Sequence, residues 1–395
     1  MRDSLIGVSL NAAKGEEALI KEEVACSYHY RFPVHVCGYN WLDDNAASSE
    51  RLKQRIEDVI SRYKKQKKKC EKVIIVTHSM GGLVARYCSE VAGMRDTIFG
   101  IVHGVMPALG AAAVYRRMKA GTEYPHSNID ERFFGYLTSL ALGSDAAEMT
   151  AVLSSAPGPL QLLPTPEYGN GWLKIDGGQT VHALPQNGDP YNEIYTVRGA
   201  WWGLCADDLI NPLNKESDPH RRSSMMDSDW DAFEGIIRGP VKQFHNQIIH
   251  KYHSLTFSFY GSDSNRKAYG EVLWRGGPSV GERWLSDNRS YDELHGKTLD
   301  RSEINTTRTV AAPLEGTGWK TGVHMSYSVS EPDEDGDGTV PQRSGLAATA
   351  KSTSILRVAT GHEAAFRESS DARQFTIRAI VKIAQAVKQT ALAYD

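Results

Sequence analysis

The 395-residue chain has no apolar run near the length of a membrane-spanning helix, which takes about 20 residues. Nor does an apolar stretch follow positive charge at its start, so neither a transmembrane anchor nor a conventional signal peptide is expected. The expected product is soluble: cytoplasmic, or exported by a specialised system. Cysteine is sparse. Cys26, Cys37, Cys70, Cys88 and Cys205 are odd in number and unpaired by motif, which argues against a disulfide framework and for synthesis in a reducing compartment. His-Glu-x-x-His and paired-Cys patterns are lacking, so no metal site and no cofactor is expected. Excess charge is lacking too: 45 Lys and Arg against 48 Asp and Glu leave a net charge of −3, with no electrostatic case for nucleic acid. No internal repeat is evident. What remains, 41% hydrophobic and 24% charged residues, is the composition of a globular protein with a sizeable core.

Against that background one stretch stands out, Val73-Ile74-Ile75-Val76-Thr77-His78-Ser79-Met80-Gly81-Gly82. Its apolar start suits a buried strand. Leu83, Tyr87 and Val91 then recur at helical spacing, so Ser79 falls on a strand-to-helix turn. Such a turn strains its serine and lifts the side chain clear of the sheet. The following helix N-terminus aims N–H groups at charge developing during acyl transfer, and the Met80 amide is the natural oxyanion donor. The pattern departs from G-x-S-x-G by carrying Thr77 first, and a serine that merely caps a helix would look similar.

Partners for such a nucleophile follow in the order serine, acid, histidine. The acidic segment Glu331-Pro332-Asp333-Glu334-Asp335-Gly336-Asp337-Gly338-Thr339-Val340-Pro341 offers the acid, and Thr360-Gly361-His362-Glu363, after the strand-like Ile355 to Ala359, offers the base. Asp263, which follows the strand-like run Leu255 to Tyr260, is the chief rival acid, with Asp333, Glu334 and Asp335 behind it. Asp333, Asp335, Asp337 and Gly338 also mimic the opening of a calcium loop, but Ser344 stands where the bidentate glutamate belongs. Among the other histidines, His78 and His103 read as packing or hydrogen-bonding residues near the strand ends. His245, His250 and His253 read as residues of one helix.

These segments together resemble the branch of α/β-hydrolases that contains lecithin:cholesterol acyltransferase-like enzymes and GPI inositol-deacylase-like lipases. Gly336-Asp337-Gly338-Thr339-Val340-Pro341 is similar to that branch's acid motif, which implies Asp337 as the acid, and His362 matches its histidine position. Leu160-Gln161-Leu162-Leu163-Pro164 resembles its Leu-Leu-Pro segment near the lid. Gly38-Tyr39-Asn40-Trp41 resembles its Tyr-Asp-Trp segment with Asn40 in place of the acid. The wording around the elbow and Val102 to Pro107 also resembles bacterial lipase effectors delivered by type VI secretion. The resemblance covers residue 30 to the C-terminus apart from most of the middle insertion. It implies a Ser79–His362–Asp337 triad, a lipid ester substrate met at a membrane surface, export without a signal peptide and an immunity protein as partner.

The expected architecture is an α/β-hydrolase fold, a mainly parallel sheet flanked by helices with a large cap insertion. Residues 1–110 form the first part of the core, 111–250 the cap and 251–395 the rest of the core. Helices are expected at Glu16 to Ala25, Ser48 to Tyr63 and Asp371 to Ala393, and a strand at Pro33 to Cys37. Between Ser155 and Trp202 the frequent Gly, Pro and aromatic residues suggest irregular loops rather than a second sheet. Tyr269 to Trp274 reads as a hairpin. Phe133, Phe134, Tyr136, Leu137 and Leu140 form an apolar stripe on a cap helix, and Trp201-Trp202 reads as buried packing. Arg62, Lys64, Lys65, Lys67, Lys68 and Lys69 form a basic run that suits either a solvated helix end or anionic lipid headgroups.

A second oxyanion donor should come from a Gly-rich loop ahead of Pro33, and only Leu5 to Asn11 is a candidate. An upstream segment outside this chain is therefore expected. The functional expectation is a lipolytic esterase working through an acyl-enzyme on Ser79. The alternatives are a lipid acyltransferase with the same triad, or a catalytically incomplete hydrolase-like interaction protein.

Overall fold

The computed structural model describes residues 1–122, 145–279, 290–299, 306–314 and 322–393. The strands among them are β1 (Val73–His78), β2 (Ile98–Gly104), β3 (Leu173–Asp176), β4 (Val181–Leu184), β5 (Thr256–Gly261), β6 (Asp263–Ala268), β7 (Val272–Pro278), β8 (Lys297–Thr298), β9 (Thr307–Pro313), β10 (Gly322–Val329), β11 (Glu334–Gly336) and β12 (Ser354–Val358). The helices used below are α1 (Lys21–Tyr28), α2 (Asn45–Lys65), α3 (Gly81–Glu90), α4 (Ala112–Ala120) and α5 (Ser370–Ala384). Two compact units divide the chain: Met1–Gly110, Phe244–Ala268 and Glu334–Asp395 in one, Ala111–Gln243 and Tyr269–Asp333 in the other.

The first unit is built on a four-stranded sheet, β1-β2-β5-β12, in which each neighbouring pair is parallel. Both faces of such a sheet need helical cover, because its strands are apolar on both sides. Helix α5 presents Phe375, Ala379 and Ile383, four residues apart, to Val102, Phe257 and Leu356 on one face. Ile56 and Ile60 of α2, with Ala85 and Cys88 of α3, pack with Ile98 and Ile101 on the other. Asp44 caps α2 by accepting from the Ala46 amide, and Ser369 caps α5 through the Ala372 amide. This is an α/β-hydrolase fold: a parallel sheet flanked by helices.

The early residues depart from expectation. Glu16 to Ala25 is not one helix. The Glu16 carboxylate accepts the Leu10 and Ala12 amides and pairs with Arg378, while α1 begins at Lys21. Pro33 to Cys37 is not a strand either. No ladder forms there; Arg55 and Arg51 donate to the Val36 and Gly38 carbonyls, and Val34 and Val36 stand 90% and 81% exposed. A valine-rich run becomes a strand only beside a neighbour with free backbone groups, and that condition is not local to the run.

The second unit overturns the expectation of irregular loops between Ser155 and Trp202. Strands β3 and β4 fall there and join a six-stranded sheet of order β4-β3-β7-β10-β9-β8. Its pairings are antiparallel except that of β3 with β7. Two four-residue strands carry too little pattern to be read locally; β4 pairs with β3 alone, and the other partner of β3, β7, lies some hundred residues on. The Tyr269 to Trp274 hairpin is likewise absent: β6 pairs with β11 in the first unit, whereas β7 pairs with β3 and β10 in the second. Residues 251–395, expected as continuous core, are thus split, and 269–333 belong with the insertion. The core of this unit is aromatic. Trp201 stacks on Tyr327 at 4.5 Å and meets Trp274 edge-on at 5.7 Å, and both Trp201 and Trp202 are buried. The stripe Phe133 to Leu140 lies outside the described residues. Among the described residues no helix is long and apolar enough to cross a membrane.

Candidate active site

Ser79 follows β1 directly and has φ of 51°, a left-handed conformation that serine rarely takes. The turn is anchored from both sides. The Ser79 amide donates to the Gly104 carbonyl at the end of β2, at 2.9 Å, and its carbonyl accepts from the Gly82 amide, also at 2.9 Å. A Cβ on Gly82 would stand 2.6 Å from the Met106 side chain, so any larger residue there requires Met106 to move. Gly81 meets nothing closer than 3.6 Å. Thr77, in place of the expected glycine, is buried, with its hydroxyl 3.0 Å from His103 Nδ1.

The loop after β11 supplies Asp337, and the loop after β12 supplies His362. Asp337 is 3% exposed and its Oδ1 accepts from the Thr339 and Val340 amides at 3.0 and 2.7 Å. Gly338, with φ of +92°, permits that turn. Gly261 at the end of β5 leaves the space the carboxylate occupies, since a Cβ there would lie 2.4 Å from the Asp337 Cβ. The His362 amide donates to the Asp337 carbonyl at 2.9 Å, and His362 Nδ1 lies 2.8 Å from Asp337 Oδ2. Facing a carboxylate, Nδ1 carries the proton, which leaves Nε2 as the acceptor. That Nε2 is 2.8 Å from Ser79 Oγ. A hydroxyl bonded to an imidazole whose far nitrogen meets a buried carboxylate is an arrangement that can activate the hydroxyl. The Met80 amide, next to the serine, makes no hydrogen bond among the described residues.

The rivals are otherwise engaged. Asp263 accepts the Asn265 amide, Asp333 the Gly270 and Glu271 amides, Glu334 the Arg343 amide and guanidinium, and Asp335 faces Lys267. No three His, Cys, Asp or Glu side chains gather as metal ligands among the described residues. The amides of Leu5, Ile6, Gly7, Val8, Leu10 and Asn11 are all hydrogen-bonded within the N-terminal region, which removes them as oxyanion donors. His103 is fully buried, and burial together with the Arg86 charge lowers it to about 3, so it stays neutral. His78, read from the sequence as a packing or hydrogen-bonding residue, supports the site, though its partner is not legible there. Its Nε2 donates to the His362 carbonyl at 2.8 Å, and its ring meets those of His362 and Phe366.

Residues 45–115, from α2 through the elbow to α4, match the family model described as PGAP1-like alpha/beta domain. That segment of the α/β-hydrolase fold is therefore similar to the PGAP1-like domain. This hydrolase is also similar to the crystal structure of a Tle4-Tli4 complex. The TM-score is 0.73 and the identity 26%, over 97% of this chain and 75% of that one. No curated protein matches it.

Proposed function

We propose that the chain is a serine-dependent lipolytic esterase, a lipase or phospholipase A, that works through an acyl-enzyme on Ser79. The observation that carries this reading is the unbroken series Ser79 Oγ–His362 Nε2 and His362 Nδ1–Asp337 Oδ2, 2.8 Å at each link. His362 takes the hydroxyl proton as Ser79 attacks the ester carbonyl. Asp337 holds the productive tautomer and stabilises the imidazolium. The Met80 amide receives charge on the carbonyl oxygen, a contribution of about 3–4 kcal/mol where such a donor has been removed. His362 then protonates the departing alcohol, and water brought to the same base releases the acid. The second oxyanion donor is assigned to no residue.

A lipid ester at a membrane surface as substrate is supported by the resemblance around the elbow and by the Tle4-Tli4 neighbour. That neighbour is a complex of two components, which supports an immunity protein as partner of this chain, and the resemblance around the elbow supports export through type VI secretion. Fluorophosphonate labelling with peptide mapping tests the core of the reading. Modification is expected at Ser79 and lost in His362→Ala; a folded chain that stays unlabelled refutes it. Asp337→Asn is expected to lower turnover about 10⁴-fold, and Asp263→Asn to change it little. The reverse ranking would transfer the acid role to Asp263.

A further inference from the structure

The second unit contains a cavity of about 720 Å³, within the range of small-molecule pockets. Helix α4 and strand β9 each bring a cation to it, Lys119 and Arg308, and each is only about 6% exposed. The guanidinium of Arg308 is held in place. It donates to the Thr307 and Lys119 carbonyls and lies 5.3 Å from the centre of the Trp274 ring. The Lys119 ammonium forms no hydrogen bond and no ion pair among the described residues. Burial and the Arg308 charge beside it lower the ammonium to about 7. Arg198 and His295, also on the lining, are already matched to Asp207 and Asp292.

A buried cation without a partner is costly, and a second one beside it raises the cost. Had the site a purely structural role, an apolar residue at 119 would serve it better. The remaining walls are largely apolar, with Met118, Trp201, Trp202, Leu209 and Leu294 among them. Arg198, Asp207, Asp208, His295 and Lys297 also lie on the lining, but the paired cations Lys119 and Arg308 beside the apolar walls suit a ligand with one anionic end and a long apolar body. We propose that this cavity binds a long-chain fatty-acid carboxylate, with Lys119 and Arg308 at its head and its chain along the tryptophan and methionine wall. The same class of compound is what ester hydrolysis at Ser79 would release, but the assignment stands without that reaction.

The test uses the full chain carrying Ser79→Ala, so that covalent capture at the elbow plays no part. The probe is dansyl-undecanoic acid, read by energy transfer from tryptophan and displaced with oleate. Saturable transfer is expected, with oleate displacing the probe far better than oleyl alcohol. Adding Lys119→Met should weaken binding at least about tenfold, while circular dichroism stays unchanged and Lys119→Arg retains binding. Absence of saturable transfer overturns the proposal. So does equal affinity in a folded Lys119→Met chain, which would put the probe elsewhere, and so does oleyl alcohol competing as well as oleate. None of these outcomes depends on whether Ser79 reacts with a fluorophosphonate.

Discussion

Ser79 stands in a left-handed conformation because three neighbours hold it there: the Gly104 carbonyl, the Gly82 amide and the close approach of Met106 to α3. The two glycines after it are therefore not equivalent. Gly82→Ala should destabilise the protein by about 1–3 kcal/mol through overpacking against Met106. Gly81→Ala, with ordinary contacts from 3.6 Å outward and a gain in helix propensity, should be neutral or slightly stabilising. Urea denaturation of the pair measures the difference, and equal effects would mean that Met106 moves aside freely. Ser79, Asp337 and His362 were legible as motifs, because each sits where a strand ends and a short pattern marks the turn. The supports around them were not. Nothing in the sequence ties Gly261 to Asp337 or His78 to the His362 carbonyl, since those contacts join segments 76 and 284 residues apart.

Among the elements, β1 is an edge of the parallel sheet although it carries the nucleophile elbow. Its Val76 is 44% exposed, and Val34 and Val36 stand out in solvent on a separate extended segment. Edges of this kind template further pairing unless charge blocks it. Val34→Lys with Val76→Lys should lower self-association, measured by light scattering against concentration, without changing the circular dichroism. Unchanged scattering would show that these valines are not an aggregation route. The basic run was read as a solvated helix end or a lipid dock. Arg62, Lys64 and Lys65 lie in the last turn of α2, and Lys64, Lys65, Lys67, Lys68 and Lys69 are all exposed. Replacing Lys67, Lys68 and Lys69 by Glu separates the readings: only a lipid dock loses salt-sensitive binding to anionic vesicles.

At the scale of the whole molecule, two buried groups of opposite charge in the second unit shape its response to pH. Lys119 is lowered to about 7 and Glu293 raised to about 7, each mainly by burial. Their signs oppose. Glu293 binds its proton more tightly folded than unfolded, so its contribution is complete below pH 4.5 and is lost as pH rises to about 7. Lys119 binds its proton more weakly folded, so its contribution is complete above pH 10.5 and is lost as pH falls to about 7. The joint contribution of these two groups is therefore smallest near neutral pH, while His103, lowered to about 3, acts against the acid limb. Lys119→Met should flatten the alkaline limb and Glu293→Gln the acid limb, as followed by melting temperature against pH. A Lys119→Met chain that keeps the full alkaline rise would show that another group causes it.

By itself the sequence determined the fold class, the elbow and the order of nucleophile, acid and histidine. All three rest on short-range patterns: an apolar run, a turn, a helical period. The tertiary structure alone decided which of five acids meets His362, because that depends on where each loop finds its backbone donors. It also decided that residues 269–333 join the insertion in a second sheet and that Lys119 and Arg308 share a cavity. Strands of four residues and cations nearly two hundred positions apart carry no local signal. They acquire meaning only once the chain has paired distant segments and removed their side chains from water.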